Sequence, residues 1–148
     1  MENKKKYQEM LTGKFGDNVV INAEKPYELY ANATNLLEIV EFLKTEGLNF
    51  LADISSADYK EFFEVVYQLY SFDDSDHLTV KVKLTHDNPQ VTSLTSLWET
   101  ADWLEREVYD LMGITFINHP NLERILTWEG FEGHPLRKDF VSKSGRKK

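Results

Sequence analysis

The sequence predicts an α+β domain, a mostly antiparallel sheet covered by helices, with an extended arm at its C-terminal end. Three observations carry that expectation. Residues 62–72 and 77–84 each alternate apolar and polar side chains with a period of two, the pattern of paired strands with one wet face. Residues 36–43 place apolar side chains at helical spacing, which suits a helix laid across that sheet. Beyond Phe116 no segment long enough for a regular element has an apolar face, although anchors recur at Leu122, Ile125, Leu126, Trp128, Phe131, Leu136 and Phe140. The chain therefore divides into an α+β domain over residues 1–116 and an extended, partner-docking arm with a basic tail over residues 117–148.

The elements follow in order. Tyr7, Met10, Leu11 and Phe15 fall at helical spacing, and Gly13 and Gly16 are expected to break that helix. Val19 to Ile21 and Tyr27 to Tyr30 read as short strands around a Glu24-Lys25-Pro26 turn. Asn35 is placed to cap the next helix, with Glu38 three residues on completing a capping box. Leu36, Leu37, Ile39, Val40 and Leu43 form its apolar face, and Gly47 supplies a left-handed stop. Phe50 to Ile54 begins the sheet, and Ser55 to Lys60 are expected to turn it. In the strand from Phe62 to Phe72, Val65, Tyr67 and Leu69 share a face. After a turn at residues 73–76, His77 to Leu84 returns with Leu78, Val80, Val82 and Leu84 inward and Thr79, Lys81 and Lys83 outward. Val91 to Trp98 reads as either a last strand or a loop. Ala101 to Met112 is a helix stopped by Gly113, with Ala101, Leu104, Val108, Leu111 and Met112 on one arc. Asp102, Arg106, Tyr109 and Asp110 lie on its far side.

Composition narrows the function classes. At 148 residues the chain suits one domain with a real core. No run of eighteen apolar residues occurs, so nothing reads as a membrane span. The opening Met-Glu-Asn-Lys-Lys-Lys leads into a polar helix, which does not read as a secretory leader. Cysteine is absent, which removes disulfides and thiolate-ligated iron–sulfur clusters and is compatible with the cytosol. Residues 134–148 hold six basic residues against one acid, while the net charge of the chain is -8. An acidic body with a basic tail disfavours general nucleic-acid binding and suits a tail that meets an acidic partner, or one that is simply solvated.

The last third concentrates the conspicuous residues. Arg106 has Asp102 four residues before it and Asp110 four after, so the three can pair on one helix face. Glu105 and Glu107 border the apolar arc. They read either as carboxylates positioned for a partner's basic residues or acid–base work, or as part of a solvated helix. His119-Pro120 and His134-Pro135 each force the histidine into extended backbone. Their spacing is loose for zinc, so each imidazole is expected to hydrogen-bond backbone in a rigid turn. Gly133-His134-Pro135-Leu136-Arg137-Lys138-Asp139-Phe140 is no phosphate loop, because its residues stand in the wrong order and no helix follows. It suits an arm that inserts anchors and pairs charges with another protein. No nucleophile elbow, dinucleotide fingerprint or HExxH helix occurs, and no catalytic site is expected.

Glu105, Arg106, Glu107, Asp110, Gly113, His119, Pro120, Leu122, Arg124, Ile125, Leu126 and the block Gly133 to Phe140 together resemble the signature of the 30-kilodalton (C) subunit family of respiratory NADH dehydrogenase, complex I. Val141 departs from it, standing where family members commonly have proline. The resemblance implies a non-catalytic scaffold in the peripheral arm of NADH:quinone oxidoreductase. It implies no cofactor in this chain, with FMN, iron–sulfur clusters and quinone in partner subunits. The expected partners are the 49-kilodalton (D) subunit and the neighbouring iron–sulfur B and I subunits, at the cytoplasmic face of the cell membrane. The expected partner-binding residues are Glu105, Arg106, Glu107, Asp110, His119, Arg124, His134, Arg137, Lys138 and Phe140. Related subunits occur in membrane-bound nickel–iron hydrogenases and in deazaflavin- or ferredoxin-dependent complexes, which is the alternative assignment. An independent enzyme using Glu105, Glu107 and a histidine, or a soluble adaptor acting through Ser142 to Lys148, are the readings from other classes. The arm is expected to be flexible in the isolated chain, because its anchors lack an internal face to bury.

Overall fold

The computed structural model describes residues 2–73, 76–125 and 133–138. Helix α1 (Glu2–Phe15) buries Tyr7 and Leu11 and passes through Gly13 without interruption. It stops only at Gly16, whose φ of +56° suits glycine. A 3-10 turn over Gly16–Asn18 leads to β1 (Val19–Ile21), which pairs antiparallel with β2 (Glu28–Ala31). Helix α2 (Leu36–Thr45) buries Leu36, Ile39, Val40 and Leu43. Its entry differs from the expected capping box, because Asn35 makes no side-chain cap. The cap moves to Asn32, whose Oδ1 accepts from Thr34 N at 3.1 Å and starts a 3-10 turn that feeds α2. The exit is a Schellman motif at Gly47: Leu48 N reaches Leu43 O at 3.0 Å and Gly47 N reaches Lys44 O at 3.2 Å.

β3 (Phe50–Asp58), β4 (Phe63–Tyr70) and β5 (His77–Leu84) form an antiparallel meander. The sheet order is β1-β2-β5-β4-β3, and the β2–β5 pairing is parallel. Register puts Val65 opposite Val82, Tyr67 opposite Val80 and Leu69 opposite Leu78, all buried on one face. Glu64, Lys81, Lys83 and Tyr70 occupy the other face, so the wet-face expectation holds. Two residues on that face are nonetheless buried: Thr79, donating to Gln68 Oε1 at 2.7 Å, and Glu64, which accepts from Tyr30 Oη at 3.2 Å and pairs with Lys81 at 3.5 Å. Ser55 to Lys60 do not turn the chain as expected. Ser55, Ser56 and Ala57 continue β3, paired with Val66, Val65 and Glu64, and the turn is confined to Tyr59–Phe62. Lys60 there takes φ +71°, stabilised as its N–H donates to Asp58 Oδ1 at 2.8 Å.

Residues 90–92 form β6 (Gln90–Thr92), a strand followed by a loop through Trp98. Helix α3 (Thr100–Met112) ends at Gly113, φ +74°, and β7 (Thr115–Ile117) returns parallel to β6. One core joins all three helices to the inward face of the main sheet, with Val91 and Phe116 of the small sheet and Ile114 just before β7 included. α3 packs against β3, the edge strand.

Of the arm's expected anchors, Leu126, Trp128, Phe131 and Phe140 lie outside the described residues, and Leu136 is 54% exposed. Leu122 packs on the core, and Arg124, Ile125, His134, Leu136 and Arg137 bond the last turn of α3.

Candidate functional site

Helix α3 presents its chemistry on two levels. In its middle, Ala101, Glu105, Val108 and Met112 are buried together at spacings of four, three and four. The arc is thus rotated from the expected one, bringing Glu105 inside in place of the half-buried Leu104. Glu105 is 0% exposed. Its Oε1 accepts from Ser93 Oγ at 2.6 Å and its Oε2 from Leu94 N at 2.7 Å. Because the Ser93 proton is committed to Glu105, the Thr95 hydroxyl donates to Ser93 Oγ at 2.8 Å, and Thr95 N does so at 3.1 Å. Burial pushes the Glu105 carboxyl up to about 7, against the two hydrogen bonds, with the Asp102 charge adding to the rise. Burial, then the charge of Glu105, also raises the Tyr67 phenol well above its usual value. Among the described residues Tyr67 Oη has no hydrogen-bond partner. A carboxyl near neutrality has the acidity of an acid–base catalyst, but this one is sealed from solvent. Its geometry ties α3 to the loop after β6.

The second level is the C-terminal turn of α3, where helical carbonyls lack partners inside the helix. The arm supplies them. Asp110 O accepts from Arg124 Nη2 at 2.9 Å and from His134 Nδ1 at 3.0 Å. Leu111 O accepts from Leu136 N at 2.9 Å, and Met112 O from Arg137 Nε at 2.6 Å. Two guanidinium groups at a helix C-terminus complement its negative end. Asp110, 0% exposed, is matched on both oxygens: Arg124 Nε donates to Oδ1 at 2.7 Å and Ile125 N to Oδ2 at 2.9 Å. Arg124 also donates to Gly133 O at 2.5 Å, joining the two described stretches of the arm. Gly113 leaves room for this: a Cβ there would come within 2.6 Å of His134 Cδ2 and 2.7 Å of Arg137 Nη2. Burial, then the charges of Arg124 and Arg137, lowers the His134 pKa despite its bond to Asp110 O.

The remaining candidates are distributed around this centre. His119 is enclosed, its Nε2 3.1 Å from Asp102 O and 3.3 Å from Asp102 Oδ1, while its Nδ1 accepts from Asn121 N at 3.0 Å. Both His-Pro histidines thus bond backbone, as expected of their turns. Arg106 does not form the Asp102–Arg106–Asp110 triplet. Its Nε donates to Glu123 O at 3.1 Å, because Asp110 is taken by Arg124 and Asp102 faces His119. Glu107 stays half-buried beside a cleft of about 190 Å³ shared with Ser55, Ser56, Leu111 and Leu136. Phe140 and Val141 lie outside the described residues. The described bonds of Glu105, Asp110 and Arg124 are made within this chain, to Ser93, Leu94, Ile125, Gly133 and one another.

Sequence reasoning missed Asp58. It anchors the arm by accepting from Lys138 N at 2.9 Å, and it also binds His86 Nε2 at 2.9 Å. Burial alone would raise its carboxyl, but the Lys138 and Lys60 amides and His86 together hold it below the usual carboxylate value. The Asp58 to Lys60 turn was the available signal, but its link to a residue 80 positions away was not local. Among the described residues no three His, Asp or Glu side chains converge as metal ligands would, and no helix is long and apolar enough to cross a membrane.

Residues 29–146 match the family described as respiratory-chain NADH dehydrogenase, 30 Kd subunit. The chain is 46% identical over 110 residues to the C subunit of the NADH-quinone oxidoreductase of Citrifermentans bemidjiense, covering 72% of this chain and 68% of the relative. It is 48% identical over 115 residues to the same subunit of Moorella thermoacetica, covering 76% and 78%. Among solved structures, the trypsin-resistant fragment of Nqo5 aligns with a TM-score of 0.64 at 33% identity, over 82% of this chain and 100% of that one. A chain of the archaeal membrane-bound sulfane sulfur reductase aligns with a TM-score of 0.82 over 97% of this chain and 88% of that one. At 20% identity that likeness is one of fold.

Proposed function

The chain belongs to the 30-kilodalton subunit family of respiratory-chain NADH dehydrogenase, and from that premise we propose that it is a non-catalytic scaffold subunit in the peripheral arm of an NADH:quinone oxidoreductase. On this reading it docks to the 49-kilodalton D subunit beside the iron–sulfur B and I subunits, on the cytoplasmic face of the membrane. FMN, clusters and quinone belong to those partners, and NADH-to-quinone electron transfer coupled to proton translocation belongs to the assembly.

One observation carries the scaffold role: Glu105, Arg124, His134 and Arg137 of the motif make their described hydrogen bonds within this chain. Glu105 is sealed against Ser93 and Leu94, and Arg124, His134 and Arg137 cap α3. What they rigidify is an outer surface. Trp103 and Leu136, each 54% exposed, Glu107 beside Leu136, and the Lys138 side chain are left to meet a partner. Apolar anchors rimmed by charge suit a docking surface.

The same fold also serves in a sulfane sulfur reductase complex, so fold alone does not select the electron donor. A tagged pull-down from gently solubilised native membranes, read by mass spectrometry, tests the proposal. Recovery of a 49-kilodalton-type subunit with flavin and iron–sulfur subunits is the expected result. A large subunit with nickel-binding cysteines would move the chain to a hydrogenase-type complex, and recovery of the chain alone would overturn the scaffold role.

A further inference from the structure

The sheet face opposite α3 carries a row of aromatic rings that the core does not use. Register aligns Phe50 of β3, Tyr70 of β4 and His77 of β5 side by side across three strands. Phe72 stacks on Phe50 with ring centroids 5.0 Å apart and planes 7° apart, and Tyr70 stacks on His77 at 5.5 Å. Tyr27 extends the row at 5.5 Å from His77. These rings are not interior: Phe72 is 70% exposed, Tyr70 40% and Phe50 38%. Cross-strand pairing stabilises a sheet, but Phe72 lies beyond the end of β4, where no ladder needs it. A contiguous exposed aromatic surface of this kind marks an interaction site.

Charge selects the occupant. Residues 69–79 contain three aspartates and no lysine or arginine. Asp73 follows Phe72, Asp76 precedes His77, and Asp53 is registered with Gln68 as the next residue on that face of β3. On the same face Lys81 lies further along β5 and is paired with Glu28 at 3.3 Å and Glu64 at 3.5 Å. A guanidinium stacks flat on an aromatic ring while its edge bonds a carboxylate, a combination an ammonium group does not reproduce. We infer that the Phe72–Phe50–Tyr70–His77 strip is a second docking face, which takes an arginine-bearing segment of a neighbouring subunit. The inference rests on the scaffold reading and adds a contact across the sheet from α3.

The test uses the full chain in its own cells. A photo-crosslinking substitution, Phe72→p-benzoylphenylalanine, is irradiated in gently solubilised membranes, and the joined peptides are sequenced by mass spectrometry. The expected product joins position 72 to a peptide of another subunit that contains arginine. In parallel, a Phe50→Ser, Phe72→Ser double variant is mixed with tagged wild-type chain during assembly. Loss of two aromatic anchors predicts about thirty-fold lower incorporation, whereas loss of the Phe50 cross-strand pair lowers the melting midpoint only slightly and Phe72→Ser alone leaves it unchanged. Crosslinks only to a second copy of this chain, to lipid or to a peptide lacking arginine overturn the inference. So does a normally assembled complex with no crosslink, or full incorporation of the double variant; those results leave the scaffold reading intact. A crosslink to an arginine-bearing peptide of a protein outside any respiratory assembly would instead uphold the strip and overturn the scaffold reading.

Discussion

Arg124 grips Asp110 twice: its Nε donates to the carboxylate at 2.7 Å and its Nη2 to the backbone carbonyl of the same residue at 2.9 Å. One guanidinium therefore neutralises a buried acid and caps the helix that carries it. An acid in the last turn of a helix is unfavourable by itself, so Asp110 depends on the arm folding back. Removing one partner of a buried pair strands the other charge, which costs about 3–5 kcal/mol. Arg124→Ala should lower the unfolding free energy of the purified chain by about 3 kcal/mol in urea titrations. Arg124→Lys should recover only part of this, because one ammonium cannot fork across two acceptors. A loss below about 1 kcal/mol would mean that the pair is dispensable.

Two glycines should respond in opposite directions. Gly13 sits inside α1 with nothing within 4 Å of where a methyl group would stand, so Gly13→Ala should stabilise by about 0.5–1 kcal/mol. Gly113 has φ +74°, and its methyl would strike His134 and Arg137. Gly113→Ala should cost about 1–3 kcal/mol from backbone strain before any clash is counted. It should also speed amide exchange at Leu136 and Lys138, whose N–H groups bond Leu111 O and Asp58 Oδ2. Equal melting midpoints for the two variants would remove the role assigned to Gly113.

Glu105 imposes a pH dependence of unusual sign. Its carboxyl is raised from an ordinary 4.5 to about 7, so between those values the folded chain binds more protons than the unfolded chain. Its contribution to stability is complete below pH 4.5 and is lost as pH rises through 7. Glu105→Gln removes the titration and can keep the network, donating to Ser93 Oγ and accepting from Leu94 N. The variant should match wild type near pH 5 and exceed it near pH 8, by on the order of 2 kcal/mol. Urea midpoints at both pH values check this. A difference that stays constant from about pH 5 to 8 would show that Glu105 is ionised throughout.

How much of this could be read in advance depends on range. The alternation of β4 and β5 was plain because one face is wet, so Lys81 and Lys83 alternate with Val80 and Val82. Ser55, Ser56 and Ala57 hid the second half of β3, since small polar residues on an edge strand carry little strand signal. The parallel β2–β5 pairing was hidden because about fifty residues separate Leu29 from Val80. Burial of Glu105 was half legible: its spacing to Ala101, Val108 and Met112 places it inside, but a carboxylate is assigned to the surface by default. The motif at 105–138 was conspicuous, yet its charges satisfy the helix end as readily as a partner would. Only the fold shows that Arg124 and Arg137 reach α3 itself.

The two His-Pro pairs look alike in sequence and should differ in where they carry their proton. His119 Nδ1 accepts from Asn121 N, so its proton sits on Nε2 and points to the Asp102 carbonyl. His134 Nδ1 faces the Asp110 carbonyl, which can only accept, so here the proton sits on Nδ1. Among the four rings in long-range proton–nitrogen correlation spectra of the ¹⁵N-histidine-labelled chain at about pH 8, the one lost in His119→Gln should be the Nε2–H tautomer and the one lost in His134→Gln the Nδ1–H tautomer. On acidification His134 should resist protonation more than a free histidine, since burial and the charges of Arg124 and Arg137 depress its pKa. The unfolded chain then binds the extra proton, so this group favours folding above the ordinary value of 6.5 and its contribution is lost as pH falls below it. If His134 proved to be the Nε2–H tautomer, its bond to α3 would be absent, and the helix end would rest on Arg124, Leu136 and Arg137 alone among the described contacts.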